Sequence, residues 1–212
     1  TWVSNRIISD FNEEITIRII EDSILEAGPP PVSFSFISYG SAGRRELTLN
    51  SDQDNAIIFD DTTGIPVESS KKYFLDLADK ICRRLDESGL HFCRGGFMAN
   101  NEKWCQPLSV WKEYFTDWIV DPEPENILNI SVLFDFRHVY GERKLFNELE
   151  DHVFSIIKDR TAFFYFLAQS VSRFRPPLNV FGNIVTELSP DKEEMLDIKN
   201  CLAPLIMFAR IY

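Results

Sequence analysis

Apolar positions recur at helical spacing over residues 2–27, where Ile8, Phe11, Ile15 and Ile19 line one side and charged residues fill the other. This predicts an amphipathic helix, stopped by Gly28 and the run Pro29, Pro30, Pro31. From Val32 to Tyr39 the pattern changes to Ser alternating with apolar residues, the period of a half-buried strand. A small-residue turn, Gly40 to Gly43, follows, and 44–50 reads as a short helix or a loop. A second strand is predicted from Asp52 to Phe59, closed by the turn Asp60 to Gly64. Residues 69–88 form the strongest helix, with Phe74, Leu77, Ile81 and Leu85 as its stripe and Gly89 as its cap. A Trp- and Phe-rich helix is expected over 105–119, broken by the Pro-containing stretch 121–124. Residues 127–136 read as a third strand, or as a short helix feeding one. From residue 144 onward the pattern is helical, with Phe146, Leu149, Val153, Ile156 and Ile157 on one helix and 163–171 on another.

Composition narrows the class. Of 212 residues, 44% are hydrophobic and 18 are Phe, enough bulk for a folded core and against disorder. The net charge of −11 argues against a long nucleic-acid partner, whose phosphates select basic surfaces. The four cysteines fit no disulfide framework, and no paired Cys-x-x-Cys supports zinc, so reduced thiols and a cytoplasmic location are expected. No apolar run approaches the roughly 20 residues of a membrane helix, and no membrane partner is expected. The chain starts at Thr1 without a signal pattern and ends at Tyr212 within an apolar helix, so both ends read as cut.

Chemistry concentrates between Tyr39 and Asn55. In a strand, Asp52 and Asp54 point to the same side, and two converging carboxylates need a cation. A hard, oxygen-preferring ion such as Mg²⁺ suits them, with Mn²⁺ as a substitute. Upstream, Gly40, Ser41 and Gly43 offer unhindered backbone N–H groups and a hydroxyl, and Arg44 and Arg45 offer positive charge, a set suited to phosphate. Phosphate contacts ten residues before a cation pair suit nucleotidyl or phosphoryl transfer, which depends mostly on positioning and charge neutralisation. Asp135, in an otherwise apolar run, is the candidate third carboxylate; Arg137, two residues on, is expected to pair with it or to contact phosphate. An EF-hand, a Walker loop and a dinucleotide-binding fingerprint are each excluded by missing residues. Arg173 and Arg175 are either substrate contacts or part of a solvated helix face.

These residues resemble the DNA polymerase β-like nucleotidyltransferase superfamily, with its Gly-Ser, Asp-x-Asp and later strand carboxylate. The segment Gly40-Ser41 to Glu46, followed by Ser51 to Ala56, is similar to bacterial nucleotidyltransferases related to the PII-protein uridylyltransferase. Further matches are Gly95 to Ala99, Trp104 to Leu108, Phe134 to Arg137 and Arg173 to Pro177. The resemblance implies an α/β (α+β) nucleotidyltransferase fold, a small mixed sheet with flanking helices followed by a C-terminal helical segment. It implies Mg²⁺ and a nucleoside triphosphate, with Asp52, Asp54 and Asp135 as metal ligands and catalytic carboxylates. Gly40 and Ser41 become triphosphate contacts, joined on chemical grounds by Gly43, Arg44 and Arg137. It also implies regulatory domains upstream of residue 1.

The expected organisation is an N-terminal helix and Pro-rich linker over 1–31, the nucleotidyltransferase domain over 32–143 and a helical region over 144–212. The expected activity is transfer of a nucleoside monophosphate to an acceptor hydroxyl, with a regulatory protein as the acceptor and a role in signal transduction. Two rivals stand beside it: a nucleotide-binding regulatory module without turnover, and a transferase acting on a small molecule.

Overall fold

The alternating Ser and apolar positions fold as β1 (Phe34–Ser38), and the run that follows the Asp pair folds as β2 (Asn55–Phe59). A computed structural model describes residues 2–121, 134–158, 160–171, 184–188, 194–195, 202 and 205. Strands β1 and β2 pair antiparallel, from Phe34 opposite Phe59 to Ser38 opposite Asn55. On the other side of β1 lies β4 (Arg137–Gly141), also antiparallel, with Arg137 opposite Ser38. The short β3 (Cys105–Pro107) adds parallel to β2, giving a mixed sheet in the order β3-β2-β1-β4. One row across this sheet therefore holds Arg137, Ser38 and Asn55 side by side.

Both faces of the sheet are covered, which is why β2 reads as an unbroken apolar run rather than an alternating one. Helix α3 (Val67–Glu87) buries Phe74, Leu77, Ile81 and Leu85 against Phe34, Phe36, Ile57 and Phe59, the stripe expected from the sequence. On the opposite face, α4 (Leu108–Val120) and α5 (Arg143–Ile157) cover Ile37, Tyr39, Ala56 and Ile58 with Trp111, Phe115, Leu145 and Leu149. Helix α6 (Thr161–Val171) adds Phe163 and Leu167 to that layer. Trp111 also donates its indole N–H to the Ile57 carbonyl at 3.0 Å, fixing α4 to β2. A small mixed sheet flanked by helices, with a helical part after it, is the architecture expected. A separate pair, β5 (Glu187–Leu188) and β6 (Glu194–Met195), runs antiparallel.

Four local expectations are corrected. The Gly-Ser turn is one helical turn, α2 (Gly40–Gly43). The helix expected at 105 begins at Leu108, because three residues before it pair with β2 and Pro107 sits at the helix boundary. The strand expected over 127–136 lies mostly outside the described residues; Phe134 and Asp135 form a turn, and the strand begins at Arg137. Helix α1 (Trp2–Ala27) has the expected length but turns another face inward. Phe11 is 66% exposed, while Ser9, Thr16, Ile20 and Ser23 are buried. The small polar residues bury at little cost because each hydroxyl is bonded. Thr16 and Ser23 donate to the carbonyls of Asn12 and Ile19, and Ser9 accepts from the Leu47 N–H. Arg173, Arg175 and the two prolines after them lie outside the described residues.

Candidate active site

Three backbone segments meet at one end of the sheet. Tyr39 closes β1 and is fully buried; its N–H donates to the Asp54 carbonyl at 3.1 Å and its hydroxyl to the Asn55 carbonyl at 2.8 Å. The Gly-Ser turn is thereby tied directly to the segment that carries the acidic pair. Gly40 then takes a φ of 62°, a left-handed conformation in which glycine meets no steric penalty. Gly43 is required for another reason: a Cβ built there would stand 1.6 Å from the backbone oxygen of Asp135. This glycine makes room for the chain entering β4.

The acidic segment is extended, as the spacing predicts. Gln53 and Asn55 are buried on one side, and Asp52 and Asp54 are half-buried on the other. Gln53 anchors this alternation. Its amide donates to the Cys82 carbonyl at 2.8 Å and to the Leu90 carbonyl at 2.9 Å, and its own N–H donates to the His91 carbonyl. The loop over 91–99 runs alongside: Asp52 bridges to His91, and Asn55 accepts from the Ala99 N–H at 2.8 Å. The Cys93 thiol donates to Asp54. Burial first, and then the Asp54 charge, push that thiol up to about 11, so it stays protonated.

Asp135 faces the turn, not solvent; its side chain is 14% exposed and forms an ion pair with Arg44. Arg44 also holds Glu46 at 2.8 Å. Burial opposes the Arg44 charge, but its hydrogen bonds to Glu46 and Asp135 outweigh burial and raise its pKa. Arg137 does not pair with Asp135. It lies beneath the turn, donating to the carbonyls of Gly43 (3.3 Å) and Ala42 (3.1 Å) and to Glu13 of α1. Arg45, at a φ of 59°, is held by Asp10 at 3.1 Å and Glu13 at 3.5 Å.

The structure thus brings Gly40, Ser41, Gly43, Arg44, Asp135 and Arg137 into one cluster, joined through Tyr39 to Asp52 and Asp54. Among the described residues, no three His, Cys, Asp or Glu side chains stand close enough to hold a metal ion. At Asp135 the charged partner is the Arg44 guanidinium. Only hard oxygen donors are offered by Asp52 and Asp54, which fits Mg²⁺ or Mn²⁺ rather than a soft metal. A cavity of about 30 Å³, room for about one water, lies between α1 and the sheet beside Asn12, Thr16 and Ser38. Gln53, Asn55 and Glu13 were given no role by the sequence, and Cys93 was weighed there only as a zinc ligand, with His91 and Cys105, and set aside. Gln53 and Asn55 left a trace there, since the parity that aligns the two Asp residues sends both the opposite way.

A family model described as "Putative nucleotidyltransferase DUF294" matches residues 3–125, more than half of the chain. The chain belongs to this family. A second model, described as "Putative nucleotidyltransferase substrate binding domain", matches residues 161–212. No curated protein matches the chain. The nucleotidyltransferase match takes in α1, the Gly-Ser turn, both Asp residues and the 91–99 loop, and the second match begins at α6. No described helix is long and apolar enough to cross a membrane.

Proposed function

We propose that this protein transfers a nucleoside monophosphate from a nucleoside triphosphate to an acceptor hydroxyl on a regulatory protein, in the manner of a PII-protein uridylyltransferase. The single observation that carries the reading is the backbone bond from Tyr39 to Asp54, which ties the Gly-Ser turn to the acidic pair. In this reading Gly40 and Ser41 cradle the triphosphate and Arg44 neutralises it, while Gly43, whose N–H is held by the Tyr39 carbonyl, shapes the turn that presents them. Asp52 and Asp54 would hold Mg²⁺, which when bound offsets charge on the phosphates and the leaving group. The acceptor oxygen attacks the α-phosphorus, the bond to the β-phosphate oxygen breaks, and pyrophosphate leaves. Asp135 would take the hydroxyl proton, or serve as a further ligand for the ion, once Arg44 turns from it to a phosphate.

Labelling with α-labelled nucleotides, Mg²⁺ and candidate acceptor proteins tests this. Label should pass to the acceptor with the wild-type chain and fall by at least about a hundredfold with Asp54→Asn, in line with the loss of a charge-stabilising group. Undiminished transfer in that variant refutes the role given to Asp54. One observation favours a second reading, a nucleotide-binding module without turnover: Asp135 is already neutralised by Arg44. Tight calorimetric binding of nucleotide, with no pyrophosphate formed with any acceptor, would select that reading.

A further inference from the structure

Helix α1 turns an unusual face toward the site. Ser9, Asp10 and Glu13, within about one helical turn of each other, reach residues 45–47 and Arg137. Ser9 takes the Leu47 N–H at 3.0 Å, Asp10 takes Arg45 at 3.1 Å, and Glu13 takes both Arg45 and Arg137. Arg137 is the connecting piece. One of its nitrogens meets Glu13, and the other two donate to the carbonyls of Gly43 and Ala42. The carbonyl end of the Gly-Ser turn is therefore gripped by a guanidinium whose own position is set by α1. Holding that end fixes where the N–H groups of Gly40 and Ser41 point. A guanidinium suits this task because its donors lie in one rigid plane. The side chains of Glu13 and Arg137 are only 20% and 23% exposed, so water competes weakly for the contact.

We propose that Glu13 and Arg137 are positioning residues for the triphosphate-binding turn, and that through them α1 is coupled to nucleotide occupancy of that turn. This rests on the nucleotidyl-transfer reading for the identity of the ligand. It departs from the expectation that Arg137 itself meets phosphate. Linkage makes the coupling reciprocal: whatever orders α1 tightens nucleotide binding, and nucleotide orders α1 by the same factor.

The test uses the full chain, a nonhydrolysable nucleoside triphosphate and Mn²⁺. In the wild type, hydrogen exchange of the amides over 9–16 should slow on nucleotide addition. Glu13→Gln keeps an acceptor but removes the charge. It should weaken calorimetric nucleotide affinity by about tenfold and abolish the exchange response, with the melting temperature within a few degrees of wild type. In transfer assays the same variant should raise KM for nucleotide with kcat little changed, since ground and transition states lose the same contact. Arg137→Lys, which keeps charge but loses the planar fork, should weaken affinity as well. If wild type binds nucleotide while Glu13→Gln binds within about twofold, or the α1 amides do not respond, the coupling is wrong and the transfer reading stands. If wild type binds no nucleotide at all, the transfer reading fails, and the coupling fails with it.

Discussion

Replacing Gln53 by Leu separates the two sides of the acidic segment. Gln53 is fully buried, and Leu is close to it in volume, so the change removes hydrogen bonds without opening a large cavity. Two carbonyls lose a donor. The Cys82 carbonyl lies inside α3, where it also accepts the helical bond, so its loss sits at the low end, about 1 kcal/mol. The Leu90 carbonyl lies in the loop after that helix and loses a 2.9 Å bond, at a cost of about 2 kcal/mol. The Asn55 amide, 3.4 Å from the Gln53 oxygen, loses little. The total is about 3 kcal/mol, which for a chain of this size lowers the melting temperature by roughly 6–12 °C.

Asp54→Asn is the control on the opposite side of the same segment. It removes a half-buried charge beside another carboxylate, so stability should stay within about 0.5 kcal/mol or rise slightly. Thermal denaturation followed by circular dichroism reads both variants. Gln53→Leu should lose stability and, by loosening the alternation, Mn²⁺ affinity; Asp54→Asn should lose only the metal affinity. If Gln53→Leu melts within about 1 °C of wild type, the view that this side chain orients the acidic pair is refuted.

Further outcomes follow from the same geometry. Gly43→Ala places a Cβ against the Asp135 backbone, which must move and carry the Arg44 ion pair with it; denaturant titration should show a loss of about 2–4 kcal/mol. Cys93, held up to about 11, should carry only about a thousandth of its thiol as thiolate at pH 8, so alkylation should be slow and accelerate as pH rises toward 11. Asp54→Asn removes one cause of that shift and should speed the labelling; reaction of wild-type Cys93 at the rate of an unhindered thiol would contradict the contact. Burial, and then Arg143, lower the His138 pKa below its ordinary 6.5. The unfolded chain therefore binds the proton more readily, so this contribution is complete above pH 6.5 and fades as pH falls through the lower folded value. His138→Gln should flatten that limb of a stability–pH profile.

Local periodicity revealed the elements whose partners are apolar and failed where burial is polar. The stripe of Phe74, Leu77, Ile81 and Leu85 faces the sheet because the sheet offers Phe and Ile to it. On α1, the apolar positions Ile7 and Phe11 remain exposed, since the inward face meets residues 45–47 and Arg137 and needs Ser9 and Glu13 there. Strand β3 is three residues long, and its pairing with Ile57 to Phe59 spans nearly fifty residues of chain, so no local pattern marks it. In the site, spacing sufficed to put Asp52 and Asp54 on one side. The partner of Asp135 was not legible: two residues away stands Arg137, yet the guanidinium that reaches it belongs to Arg44, 91 positions earlier. Only the register of β4 beside β1 brings those two together.

Charge balance is what makes the proposed cation at the acidic pair testable. Three arginines surround the Gly-Ser turn, and the structure commits each of them: Arg44 to Glu46 and Asp135, Arg45 to Asp10 and Glu13, Arg137 to Glu13. Four carboxylates thus already outnumber three guanidiniums before Asp52 and Asp54 are added. A triphosphate entering this cluster brings several more negative charges into a half-buried space, where repulsion is screened far less than in water. Arginine can answer only by leaving a carboxylate, which exchanges one unbalanced anion for another. A divalent ion held by Asp52 and Asp54 would lower the excess without uncovering any charge. Nucleotide affinity should therefore depend steeply on Mg²⁺ in the wild type and lose most of that dependence in Asp54→Asn. Equal nucleotide affinity with Mg²⁺ and with chelator would show that the arginines suffice and that the acidic pair has another purpose.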